Sequence, residues 1–181
     1  MDRPTTPLER IAVGDAVVYA SHGIGRVTQK HRSADDEVEV VTLRLAEGLS
    51  VTLPMGRALE CLRAPSGETE IAEVQQALRA QPSAMDDSWR VRMKATKEKV
   101  TTGAALELAE VIRDGAHRQP QLTAGGGLRE LSLAERQLYL KARHLLAEEI
   151  ADARGIDSTD ADDWISVQLD QASGWPVASG R

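Results

Sequence analysis

The densest grouping of side chains with a chemical capability is Trp89-Arg90-Val91-Arg92-Met93-Lys94-Ala95-Thr96-Lys97-Glu98-Lys99. On a helix, Arg90, Lys94 and Lys97 fall on one face, at spacings of four and three. Such a row can follow a phosphate backbone, holding a protein in position without reading base sequence. Trp89 stands at the head of the row. An aromatic there could wedge against a distorted base step or stack on an unpaired base. The same pattern also fits a plain solvated helix face. Trp89, Met93 and Val100 lie on one stripe, which allows Trp89 to be core.

No other grouping reaches this density. The four histidines, His22, His31, His117 and His144, are scattered without metal-ligand spacing, and Cys61 is the only cysteine. No zinc site and no intramolecular disulfide can be assembled from them. Asp160, Asp162 and Asp163 lack the central glycine and terminal glutamate of a calcium loop, and fit the first turn of a helix instead. Gly125-Gly126-Gly127 has no following Lys-Ser/Thr, and Gly23 and Gly25 do not open a strand–GxGxxG–helix unit. No acid, base and nucleophile converge in the pattern. The chain is therefore not expected to be an enzyme, and no catalytic residue, metal or cofactor is assigned.

The elements that must position the basic row divide the chain near Pro65. Before it the pattern is that of strands. VGDAVVYA (Val13 to Ala20) puts a β-branched run after a Gly-Asp turn or bulge. A short strand is expected from Arg26 to Gln29, then a turn at Ser33-Ala34-Asp35-Asp36, then a strand within Glu37 to Ala46. Glu47-Gly48 reads as a hairpin turn. Leu49, Val51 and Leu53 alternate with Ser50 and Thr52, so one face is buried. Pro54 ends that strand, and a last strand is expected over Leu59 to Leu62. Short strands with glycine turns suggest a small barrel of the SH3 or Tudor type.

After Pro65-Ser66-Gly67 the spacing is helical. Helices are expected over Glu68 to Ala80 and over Asp86 to Thr101, the latter capped from Asp86-Asp87-Ser88. A third starts at Thr102-Gly103 and carries Leu106, Leu108, Val111 and Ile112. Pro120 to Gly127 reads as a loop. Ser132-Leu133-Ala134-Glu135 is a capping box opening a helix to about Arg154, with Gly155 as its C-cap. Ser158 or Thr159 is expected to cap a final helix. The fold class is thus α+β, with domains at 1–64 and 71–172, a linker at 65–70 and a flexible tail at 173–181.

Composition limits the function. Hydrophobic residues make up 41% and charged residues 28% of the 181, which suits a globular chain. There is no Phe, so the cores must be built from Leu, Val, Ile and Ala. The net charge of −6 argues against binding nucleic acid by bulk charge and leaves room only for a local patch. No apolar run approaches a membrane span, and the first residues have no apolar signal-peptide core, so a cytoplasmic location and no membrane partner are expected.

Several segments together resemble the CarD (CdnL) family, whose N-terminal module is shared with the transcription-repair coupling factor. They are VGDAVVYASHGIGRV (Val13 to Val27), LRLAEGLSVTLP (Leu43 to Pro54), SWRVRMKATKEKV (Ser88 to Val100), LAEVIRD (Leu108 to Asp114) and LSLAERQLYLKARHLLAEEIADARG (Leu131 to Gly155). The resemblance spans about Ile11 to Ile165. It implies a Tudor-like domain that docks on the lobe of the RNA polymerase β subunit, and a helical domain that meets promoter DNA at the upstream edge of the bubble. It implies a minor-groove wedge at Trp89 and phosphate contacts in the stretch holding Arg90, Arg92 and Lys94. Lys97 and Lys99 extend that stretch. The polymerase-facing candidates are Leu49, Val51, Thr52 and Pro54 of the hairpin, and Arg32 from the segment Lys30 to Glu37, which matches the family poorly. Thr52 stands where some members carry arginine, and Val91 where some carry a basic residue. The expected protein is a monomeric transcription regulator that stabilises the open promoter complex. The competing reading is an adaptor on the polymerase whose helical domain binds another protein.

Overall fold

The computed structural model describes residues 10–32, 38–46, 48–83, 88–124 and 131–172; the side chains of residues 21 and 119–124 are not among those described. Five strands form one antiparallel sheet: β1 (Ala16–Tyr19), β2 (Ile24–Arg32), β3 (Glu39–Leu45), β4 (Ser50–Pro54) and β5 (Leu62–Arg63), in the order β4-β3-β2-β1-β5. A 3₁₀ turn at Ala20–His22 joins β1 to β2, and helix α1 (Met55–Cys61) joins β4 to β5. The period-two pattern decides which face is buried. Val17, Val27, Val41 and Leu43 point inward and pack with Ile11, Ala58 and Leu62. Gly25 lies against β3, where a Cβ would stand 3.0 Å from the Arg44 carbonyl oxygen.

Two expectations change here. The strand expected over Leu59 to Leu62 is α1 up to Cys61, with only Leu62 and Arg63 extended. Fully buried Ala58 faces the sheet, and Arg57 and Glu60 pair across one turn at 3.1 Å. The strand expected to end at Gln29 continues to Arg32, because His31 and Arg32 keep their register with Val40 and Glu39 beyond an irregularity at Thr28. The turn expected at Ser33 to Asp36 lies outside the described residues.

The rest of the chain is helical: α2 (Glu68–Arg79), α3 (Trp89–Thr102), α4 (Ala105–Ala124), α5 (Leu133–Arg154) and α6 (Ser158–Ala172). Helices α2, α4, α5 and α6 share one core, built from Ile71, Val74, Leu78, Leu108, Ile112, Leu145, Leu146, Ile150 and Ile165. Ala109, Ala142 and Ala161 are fully buried where the helices meet. The capping box at Ser132 forms as expected: its Oγ accepts from the Glu135 N–H at 3.4 Å, and the Glu135 carboxylate accepts from the Ser132 N–H at 3.1 Å. Gly155 ends α5 in the left-handed conformation.

Three helix boundaries differ from the pattern. Gly103 does not start a helix; it ends α3 with φ +67°, donating its N–H to the Lys99 carbonyl. The cap of α6 is Asp157, whose carboxylate accepts from the Asp160 N–H at 2.8 Å. Helix α4 runs through Pro120 to Ala124, where a loop was expected. The glycines that follow it, residues 125–127, lie outside the described residues, as do Asp86, Asp87 and the tail from 173.

The two halves meet along a polar seam. Arg63, at the end of β5, donates to both oxygens of Glu149 on α5, at 2.6 and 2.7 Å, and to the Gly103 carbonyl at 2.7 Å. Glu149 also accepts from the Ser66 N–H at 2.9 Å and is only 2% exposed. Beside this cluster, Gly103 lies so close to Ala20 that a Cβ would sit 2.5 Å from the Ala20 carbonyl oxygen.

Candidate nucleic-acid and polymerase interface

Helix α3 is held at one end. Its C-terminal half carries Val100, the one buried residue of the helix, and Lys99, which pairs with Glu110 of α4 at 2.8 Å. Gly103 then ties the end of the helix to the sheet domain. Between the helix and α4 lies a cleft of about 220 Å³. Val91, Arg92, Ala95 and Thr96 line one wall of the cleft, and Val111, Gly115 and Tyr139 the other. The Arg118–Glu135 pair, at 2.6 Å, also lines it.

This geometry divides the candidate residues between two faces. Arg90, Lys94 and Lys97 are exposed together. Lys94 reaches Glu98 at 3.9 Å, but both side chains are mostly in water, where such a pair contributes little. Arg92 and Lys99 turn instead toward the cleft and are half-buried. Trp89 is the first residue of the helix and is 48% exposed. The stripe of Trp89, Met93 and Val100 does exist, with Val100 buried and Met93 half-buried. It runs off the end of the bundle before it reaches Trp89, so the indole is not core. Val91, 51% exposed, adds apolar surface beside it.

In the sheet domain, β4 pairs with β3 on one side and with no strand on the other among the described residues. Its burial alternates: Ser50, Thr52 and Pro54 are exposed, and Val51 and Leu53 half-buried. The hydroxyls of Thr42 and Thr52 meet at 3.0 Å across β3 and β4. Leu49 precedes the strand and is exposed. Arg32 pairs in register with Glu39, next to the Val40–Pro54 pair, so Arg32 and Pro54 lie at the same end of the sheet. Leu49 lies at the opposite end of β4. An open edge of this kind offers backbone N–H and C=O groups to a strand from another protein.

The sequence pattern missed the residues that join these two surfaces. Arg63, Glu149 and Gly103 are far apart in the chain, and none belongs to a recognisable motif. Among the described residues, no group of His, Cys, Asp and Glu is arranged to hold a metal ion. No helix among them is long and apolar enough to cross a membrane. The Cys61 thiol is pushed up by burial, against the opposing pull of Arg57, so it is not activated as a nucleophile.

Comparison with protein-family models matches both halves in chain order. The model described as CarD-like/TRCF RID domain covers residues 11–64, and the model described as CarD, C-terminal domain covers residues 73–166. The first match falls on the Tudor-like five-stranded domain and the second on the helical domain, and together they take in most of the chain. It belongs to the CarD family of RNA polymerase-interacting transcription regulators.

Proposed function

We propose that the chain binds the RNA polymerase β subunit through the open edge of β4 and presses the N-terminal end of α3 against promoter DNA at the upstream edge of the bubble, stabilising the open complex. The observation that carries the DNA half of this reading is the exposed Trp89 at the N-terminal end of α3, beside the exposed row of Arg90, Lys94 and Lys97. An indole held at that end can enter a widened minor groove, while the cations hold phosphates on either side. Arg92 and Lys99 support the row from the cleft side.

The mechanism is linkage. A protein that binds the melted promoter better than the closed one shifts the equilibrium toward melting. A wedge gains most where the duplex is already distorted. The polymerase contact raises the effective concentration of α3 at the DNA, so a few phosphate contacts suffice even on an acidic chain. Promoters then differ by how readily they melt, not by bases read. The chain works as a monomer in the cytoplasm, needs no cofactor and performs no catalysis.

The test is a photocrosslinker in place of Trp89, in the full chain assembled with polymerase and a promoter. Crosslinks to DNA at the upstream edge of the bubble are expected. Crosslinks to protein alone would favour the adaptor reading, in which the helical domain serves a second protein partner.

A further inference from the structure

The seam between the two domains holds a buried ion pair that neither binding surface needs for contact. Arg63 and Glu149 are 13% and 3% exposed in their side chains. A buried pair of this kind is a poor device for stability, because desolvating both charges offsets most of their attraction. Its geometry is more informative. The two terminal nitrogens of Arg63 engage acceptors on two helices at once: both oxygens of Glu149 on α5, and the carbonyl of Gly103 at the end of α3. A planar guanidinium satisfies these acceptors in one orientation only. Glu149 is fixed in turn by the Ser66 N–H, in the segment that leaves β5. Gly103 packs against Ala20, so closely that a Cβ there would meet the Ala20 carbonyl. Val100 and the Lys99–Glu110 pair hold the same end of α3, so the Gly103 carbonyl is one of the points that fix the direction in which the helix carries Trp89.

We propose that Arg63 and Glu149 are positioning residues: an interdomain latch that fixes the angle between the polymerase-facing edge of β4 and the DNA-facing helix α3. The proposal rests on the function given above. Tethering by the polymerase is productive only if the helix is already aimed, since a tether that cannot place its second module adds no avidity. The latch supplies the aim without touching either partner.

Two variants test it in the full chain. Glu149→Gln keeps the shape and removes the charge. Arg63→Met with Glu149→Leu removes both charges for apolar side chains of similar size, a change that buried pairs often tolerate without loss of stability. Distances between spin labels at Gln29→Cys and Glu98→Cys, in a Cys61→Ser background, report the angle. The parent should give one narrow distribution and the double variant a broad one, at a melting temperature lowered modestly because the Ser66 N–H and the Gly103 carbonyl lose these partners. Retention of the β subunit should stay unchanged. Open-complex lifetime should fall by roughly tenfold, the scale at which lost preorganisation erodes avidity. A distribution that stays narrow in both variants would overturn the latch. A broadened distribution with unchanged lifetime, where Trp89→Ala does shorten it, would overturn the positioning role and leave the DNA reading intact. A parent chain without effect on open complexes would sink the proposed function and the positioning role with it, while the distances would still report the latch.

Discussion

Single residues carry more of this fold than their types suggest, and Glu135 is one. Burial pushes its carboxyl up, but hydrogen bonds from Ser132 and Arg118, with the charge of Arg118, outweigh that and hold it below the usual glutamate range. Its folded value lies below its unfolded one. The stabilisation is therefore present above the ordinary range, near 4.5, and is lost as the pH falls through the lowered value. The urea midpoint of the chain should drop on acidification below about pH 4.5, and Glu135→Gln should flatten that drop; the same acid profile in the variant would contradict the assignment. Gly103 is the second case. An alanine there must adopt φ +67° and place a Cβ 2.5 Å from the Ala20 carbonyl oxygen. Gly103→Ala should cost about 2 kcal/mol or more, from left-handed strain and the forced shift together. Thermal unfolding measures this directly, and a loss near zero would mean that the two domains are not pressed together at this point.

At the level of elements, α3 is the one that departs from ordinary helix packing. It buries a single residue along 14 and leaves its cationic face in water. If that face follows a phosphate backbone, replacing Lys94 and Lys97 by Ala should flatten the salt dependence of DNA binding by roughly one to two units, about one per lost contact. An unchanged slope would move the DNA surface elsewhere on the molecule. The elements themselves were largely legible in the sequence. Clean alternation located β4, apolar content alone located β3, helical spacing located the long helices, and Ser132-Leu133-Ala134-Glu135 marked the start of α5 through its own hydrogen bonds. Short elements were not legible. Helix α1 is seven residues long, and Leu59 and Cys61 alternate with Glu60 as a strand would, while the buried Ala58 that orients the helix carries no signal of its own. Glycine followed by an apolar run suits either end of a helix, and only the left-handed backbone of Gly103 and its fit against Ala20 decide that it is a C-cap.

On the scale of the whole molecule, the proposed DNA contact through α3 is compatible with a net charge of −6 only if binding is local and tethered. The sequence indicated both surfaces separately, one as a strand with an exposed alternation and one as a cationic row. It did not indicate how they are joined. Arg63 and Glu149 are 86 residues apart, and a glutamate on a long helix is ordinarily a solvated one. Whether Trp89 is exposed or core was also open on spacing alone, because its stripe is shared with Val100 and only the packed bundle shows where burial ends. The proposal that the exposed indole at the end of α3 holds promoters open meets its most direct test in the lifetime of open complexes formed with Trp89→Ala, measured beside its thermal unfolding. A wedge at this position gives the variant a shorter lifetime, with the β subunit still retained and stability changed by no more than about 0.5 kcal/mol, as for a surface residue. A loss of about 3–5 kcal/mol, the cost of emptying a buried aromatic site, or an unchanged lifetime in a fully folded variant would contradict it.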